Sequence, residues 1–251
     1  MSGEDFIESR DPMRNAILTV CAALSLIAPQ ASASLFLSDW GVSYDNWDVT
    51  NFTGTSNYYT EDWKPGDNAN GYLDPGYGGD LFDVEAMYFG VDDDHYYFAV
   101  VTGFNPAGAQ GFEAGDFFVD RDGDGEYDIA FDTSQNGALI NNITSKENPD
   151  AGGGQNWGGV SDPFRVASYA GPAVAIPGWQ YGAFDGRYAL EIKVDKGLIG
   201  PIGQYKLHWT MGCGNDGGDL VGAVPEPATL VLMGTGLVGV VGGRIRRRKK
   251  E

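Results

Sequence analysis

The run His95-Tyr96-Tyr97-Phe98-Ala99-Val100-Val101 decides the fold class, and two later stretches support the same reading. Its β-branched and aromatic side chains suit a pleated, half-buried surface, and it contains no Gly or Pro. At Tyr188-Ala189-Leu190-Glu191-Ile192-Lys193-Val194, and again at Tyr205-Lys206-Leu207-His208-Trp209-Thr210-Met211, large apolar residues alternate with smaller or polar ones. That is the period of a strand with one face on a core and the other in water. In this reading Tyr97 and Trp209 belong to the core, and Glu191 lies on a solvated face. The 38 Gly and 12 Pro punctuate the chain with turns, and no internal stretch holds a 3.6-residue period. Asp92-Asp93-Asp94 reads as a hairpin turn, Asn215, Asp216 and Asp219 as turn residues, and the Asn-, Gly- and Asp-rich segment from Asn141 to Asp162 as the longest loop. The expected architecture is all-β, an antiparallel β-sandwich, flanked by an N-terminal signal-peptide helix and a C-terminal transmembrane helix.

Three regions follow: a signal peptide over residues 1–33, the β-sandwich over 34–223 and a tail over 224–251. Arg14 precedes an apolar run from Ala16 to Ala28, then come Pro29 and the small-residue site Ala31-Ser32-Ala33. This order is that of a secretory signal cleaved after Ala33, which delivers the chain to the Sec export machinery. Glu4, Asp5, Glu8 and Asp11 are the wrong charge for the segment that opens such a signal, so Met13 is the expected start of translation. Cys21 lies in the middle of the apolar run rather than at its end, which argues against a lipid-modified cysteine.

The other end reads Val224-Pro225-Glu226-Pro227-Ala228-Thr229, then a Gly-rich apolar stretch from Leu230 to Gly243, then Arg244-Ile245-Arg246-Arg247-Arg248-Lys249-Lys250. From Ala228 to Gly243 a helix would measure about 24 Å, short of a hydrocarbon core of about 30 Å. Snorkelling arginines and local thinning absorb the difference, and the basic cluster keeps the C-terminus in the cytoplasm. Motif, short apolar segment and basic end, in a chain with a signal peptide, resemble the PEP-CTERM family. The resemblance implies that Pro225, Glu226 and Pro227 are the sorting motif for an exosortase, a membrane-embedded enzyme that passes its product outward.

Between Ser34 and Val224 there are 29 acidic against 8 basic side chains, a field that repels nucleic acid and anionic lipid. It suits a soluble exported domain or a binder of divalent cations. One acidic stretch has order: Asp120-Arg121-Asp122-Gly123-Asp124-Gly125-Glu126-Tyr127-Asp128. Asp120, Asp122, Asp124 and Asp128 stand at the first, third, fifth and ninth positions of a Ca²⁺ loop, with Gly125 at the sixth and the Glu126 carbonyl at the seventh. Phe131 occupies the place of the bidentate Glu of an EF-hand, and strand-like residues replace both flanking helices. The expectation is therefore a Ca²⁺-binding β-hairpin loop, with Asp132 as support from just beyond it.

Sugar recognition needs flat aromatic faces for C–H stacking, with carboxylates and amides for hydroxyls. Trp157, within Gly153-Gly154-Gln155-Asn156-Trp157-Gly158-Gly159, and Trp179, after Pro177-Gly178, sit in loop-like surroundings and are the candidate platform. A second resemblance covers roughly residues 80 to 215. Asp83-Val84-Glu85-Ala86-Met87-Tyr88, Tyr96-Tyr97-Phe98-Ala99, Gly115-Asp116-Phe117-Phe118-Val119-Asp120 and Ala189-Leu190-Glu191-Ile192 are similar to the family-nine carbohydrate-binding modules and their DOMON-like relatives. It implies a β-sandwich and does not place a sugar site residue by residue.

Catalysis has little to stand on. His95 and His208, the two histidines, match no triad or metal spacing, and the GxSxG nucleophile turn is absent. Cys213, the one cysteine after cleavage, reads as a small buried residue. Glu85, Glu113 and Glu191 leave a glycoside hydrolase open, since such a pair is defined by separation in space. The leading expectation is a non-enzymatic, Ca²⁺-stabilised module that binds extracellular polysaccharide at the cell surface or in the matrix. The alternative is a structural matrix or adhesion protein without a sugar site.

Overall fold

A computed structural model describes residues 36–60, 79–149 and 161–224. Among these residues the strands in chain order are β1 (Thr55–Thr60), β2 (Val84–Val91), β3 (His95–Thr102), β4 (Phe117–Asp120), β5 (Ile129–Asp132), β6 (Ala138–Asn141), β7 (Ile143–Glu147), β8 (Arg165–Tyr169), β9 (Gly178–Phe184), β10 (Arg187–Asp195), β11 (Gln204–Thr210) and β12 (Gly217–Ala223). They form two five-stranded sheets, β1-β2-β3-β10-β9 and β12-β11-β4-β5-β6, and a separate β7–β8 hairpin. Every pairing is antiparallel. The expected sandwich is therefore present, and β-branched and aromatic residues cluster most densely in β2, β3, β4 and β11.

The inner faces of the two sheets interdigitate. Phe89 of β2 stacks on Tyr205 of β11 at 4.2 Å between ring centroids, and Phe98 of β3 meets Phe117 of β4 and Phe131 of β5 at 5.9 and 5.6 Å. Leu190, Ile192, Leu207 and Trp209 complete this core, and the Trp209 indole N–H donates to the Gly115 carbonyl at 3.1 Å. Cys213 is buried beside it, as expected. The Asp92-Asp93-Asp94 turn also forms as expected: Asp92 Oδ1 accepts the amides of Asp94 and His95 at 2.9 and 2.7 Å.

Alternation along the strands misleads on the outer faces. All eight residues of β2 are buried, because residues 36–52 fold over the outside of the first sheet and seat Phe36, Leu37, Trp40, Val42 and Trp47 against Tyr88, Tyr97, Ala99 and Val101. Glu191, expected on a solvated face, is 0 % exposed. Its Oε1 accepts the backbone amides of Phe36 and Leu37 at 2.9 and 2.8 Å, so a buried carboxylate pins the start of this strap. His208 is likewise fully buried: Nδ1 lies 2.7 Å from Asp219 and Nε2 3.0 Å from the Pro163 carbonyl. Asp219 is thus a β12 residue partnering His208 and Lys206 rather than a turn residue, and hydrogen bonds and charge from those two outweigh burial to hold its carboxyl below the usual range. Asp216 keeps its turn position, but there it is buried and accepts the Val84 amide at 2.6 Å, tying the two sheets together. The expected long loop is shorter than its composition implied, since residues 143–147 form β7.

Candidate functional site

At one open edge of the sandwich, β9 faces the turn between β5 and β6 across a cleft of about 490 Å³. Trp179 and Tyr181 of β9 line it, opposite Ile192 and Leu190 in the β10 register, so both rings turn toward the space between the sheets. The Trp179 ring lies against the backbone of Gly137, where a Cβ would come within 1.9 Å of it, and φ of +71° there also favours glycine. Trp179 is therefore held on a strand rather than in the loop its neighbours suggested, with part of its ring lining the cleft. Trp157 lies outside the described residues.

Polar groups face these rings. Asp116, at the start of β4, accepts the Thr133 amide at 2.9 Å and hydroxyl at 3.3 Å through Oδ1, and the Val166 amide at 2.9 Å through Oδ2. Burial is the main influence on its carboxyl and the nearby Asp132 charge adds to it; together they outweigh those hydrogen bonds and push its pKa up to about 6. Asp132 sits at the far end of β5 from the acidic loop, where its carboxylate caps the short turn Thr133–Gln135 and lines the cleft. It is thus no support for a metal there. Asn136, Glu113 and Arg165 complete the polar side, and Arg165 pairs with the Glu113 carboxylate.

The acidic loop joins β4 to β5 at the opposite end of those strands. Asp120 is buried; its Oδ1 accepts the amides of Asp122 and Gly123 at 3.2 and 2.7 Å, and its Oδ2 that of Gly125 at 2.9 Å. Gly123 and Gly125 have φ of +78° and +94°, which lets the chain double back. Asp120, Asp122 and Asp124 each offer an oxygen within 4.8 Å of the others, the only such group of three or more potential ligand side chains among the described residues. Two oxygens on one Ca²⁺ at about 2.4 Å can stand no more than about 5 Å apart, so this donor set fits one ion. The side chains of Glu126 and Asp128 lie outside this group of three, while the Glu126 carbonyl is the ligand expected at the seventh position. The Glu126 carboxylate meets Lys146 Nζ at 3.0 Å, and Asp128 accepts the Arg121 amide at 2.9 Å, closing the base of the loop. Tyr127 anchors the loop, its ring 5.3 Å from that of Phe118.

The last strand leads straight to the tail. β12 pairs Ala223 with Gln204, and the next amide, Val224, donates to the Gly203 carbonyl at 2.9 Å. Pro225, Glu226 and Pro227 follow at once and lie outside the described residues. Residues 223–248 match the model of the PEP-CTERM protein-sorting motif. The chain carries a PEP-CTERM sorting tail. It is accordingly an exported protein sorted by an exosortase, with the PEP-CTERM tail as its transient membrane anchor. Comparison with curated proteins and with solved structures found no match.

Of the residues expected from sequence, the structure gathers Asp120, Asp122 and Asp124 and places Trp179 in a cleft. The grouping of Asp116, Asp132 and Arg165 in one cleft escapes sequence reasoning because they come from separate segments with no local pattern. Glu113 alone of the three candidate glutamates lines the cleft: Glu85 pairs with Arg187, and Glu191 holds the strap.

Proposed function

We propose that the sandwich is a non-enzymatic, Ca²⁺-stabilised module that binds polysaccharide in the Trp179 cleft, carried through the Sec machinery and then by its PEP-CTERM tail to the cell surface or extracellular matrix. The observation that carries this reading is the joining of two aromatic rings, Trp179 and Tyr181, with carboxylates, an amide and a guanidinium in one open cleft. Rings stack on sugar C–H faces while the polar groups take hydroxyls.

Binding rather than turnover is supported by what the buried acids already do. Asp116 accepts the amides of Thr133 and of Val166 in β8, and Asp132 accepts those of Ser134 and Gln135 in the turn after β5, which fixes both as parts of the scaffold. The Asp120, Asp122 and Asp124 oxygens would hold Ca²⁺, which neutralises carboxylates that otherwise repel one another across the loop.

Retention of the secreted protein on insoluble polysaccharide is the test, with loss of retention in Trp179→Ala. A protein that folds, is displayed and passes through every such column is instead a structural matrix or adhesion protein. Hydrolysis of an oligosaccharide panel would establish a glycoside hydrolase.

A further inference from the structure

Next to the Trp179 cleft lies a second recess, of about 330 Å³, lined by Phe112, Phe164, Glu147 and Asn148. The two recesses share two residues, Glu113 and Arg165, whose ion pair stands on their common border. Arg165 is held there from three sides: by the Glu113 carboxylate, by Glu147 at 3.9 Å from its Nε, and by the Phe164 ring 4.5 Å below its guanidinium carbon. A flat, clamped guanidinium makes a fixed divider whose remaining N–H groups still donate.

We propose that the two recesses are successive subsites of one groove, and that its occupant is an internal stretch of a neutral polysaccharide chain lying across the Glu113–Arg165 pair. This rests on the polysaccharide reading and deepens it. Each recess has its own aromatic lining, Trp179 and Tyr181 in one and the half-buried Phe112 in the other, where Phe164 lies beneath Arg165, as a polymer with a repeated apolar face requires. The divider between them is polar, which suits the hydroxyls around a glycosidic linkage. Charge selects against acidic polymers. Four carboxylates, Glu113, Asp116, Asp132 and Glu147, line the groove against one guanidinium, so a uronate chain meets repulsion along its whole length.

The test uses the exported protein in calorimetric titration with disaccharides and hexasaccharides of the gluco-, manno- and xylo- series, and with a hexagalacturonate as the acidic probe. The expected result is at least about tenfold tighter binding of the matching hexasaccharide than of its disaccharide, and none of the hexagalacturonate. Phe112→Ala should narrow that length ratio toward one. Glu113→Gln, at an exposed side chain that the core does not need, should do the same and guards against misfolding of the first variant. Asp93→Ala, in the distant turn, should leave the ratio alone. Equal affinities for the two lengths, or tighter binding of the acidic probe, in a protein still retained on a polysaccharide column would overturn the groove and leave the Trp179 site standing. Absence of both titration and retention would overturn the polysaccharide reading itself.

Discussion

Glu191 offers the sharpest test of how this sandwich is held. Its buried Oε1 accepts two main-chain amides, Phe36 and Leu37, at the start of the strap over the first sheet. A hydrogen bond to a charged group contributes about 1.5–3 kcal/mol, and truncating the acceptor leaves both amides buried and unpaired. Glu191→Ala is therefore expected to cost about 3–6 kcal/mol, a large part of the about 5–15 kcal/mol that holds a typical domain. Glu191→Gln keeps a neutral oxygen of similar shape and should cost about 1–2 kcal/mol. Urea unfolding at constant pH measures both, and hydrogen exchange should quicken first at Phe36 and Leu37. If Glu191→Ala unfolds at the wild-type urea midpoint with unchanged exchange there, the carboxylate does not hold the strap and the reasoning fails.

Removing Ca²⁺ with a chelator should lower the melting temperature, since an ion bound only to the native state at a hundredfold excess over its Kd adds about 2.7 kcal/mol. Asp120→Ala should abolish that dependence and Asp93→Ala should keep it; identical melting in chelator and in millimolar Ca²⁺ would refute the ion. Asp116 binds its proton more tightly folded than unfolded, with a pKa of about 6 against an ordinary value of 3.8. Its stabilisation is present in full below the lower value and is lost as pH rises through about 6, a fall of about 3 kcal/mol that Asp116→Asn should flatten in denaturation curves taken across that window. Asp92 runs the other way: although burial opposes it, hydrogen bonds from Tyr97, His95 and Asp94 bring its carboxyl down to about 2, so its contribution is present above its ordinary range and is lost as pH falls toward 2. Replacing Pro225, Glu226 and Pro227 by Ala should leave the chain in the inner membrane, as cell fractionation would show; unchanged release to the surface would contradict exosortase sorting.

What was legible in the sequence was local. Strands β3, β10 and β11 announce themselves through side-chain type and period, and the Asp120–Asp128 loop through spacing within nine residues. Burial on the second face of a sheet is not local. Nothing along β10 says that Phe36 and Leu37, more than 150 residues upstream, will come to rest on Glu191. The strap itself escapes because Trp40 and Trp47 lie among turns and carry no period that could mark them as core. His208 falls on the outward register of β11 by alternation alone, although Asp219 and Pro163 close over it. In sequence Trp179 follows Pro177-Gly178 and looks loop-like; its strand and its seat on Gly137 appear only when β9 meets the β5–β6 turn.

The bond from Val224 to Gly203 leaves the sandwich almost no leash. Three residues separate Val224 from Ala228, where the apolar part of the tail begins, and the four steps between them reach about 14 Å when fully extended. Gly203 in turn donates to the Arg121 carbonyl, so the root of the tail and the acidic loop share one rung of backbone. With Ala228 at the bilayer, this shared rung stays within about 14 Å of Ala228. An exosortase acting at Pro225 meets a residue joined directly to the last bonded rung of the sheet.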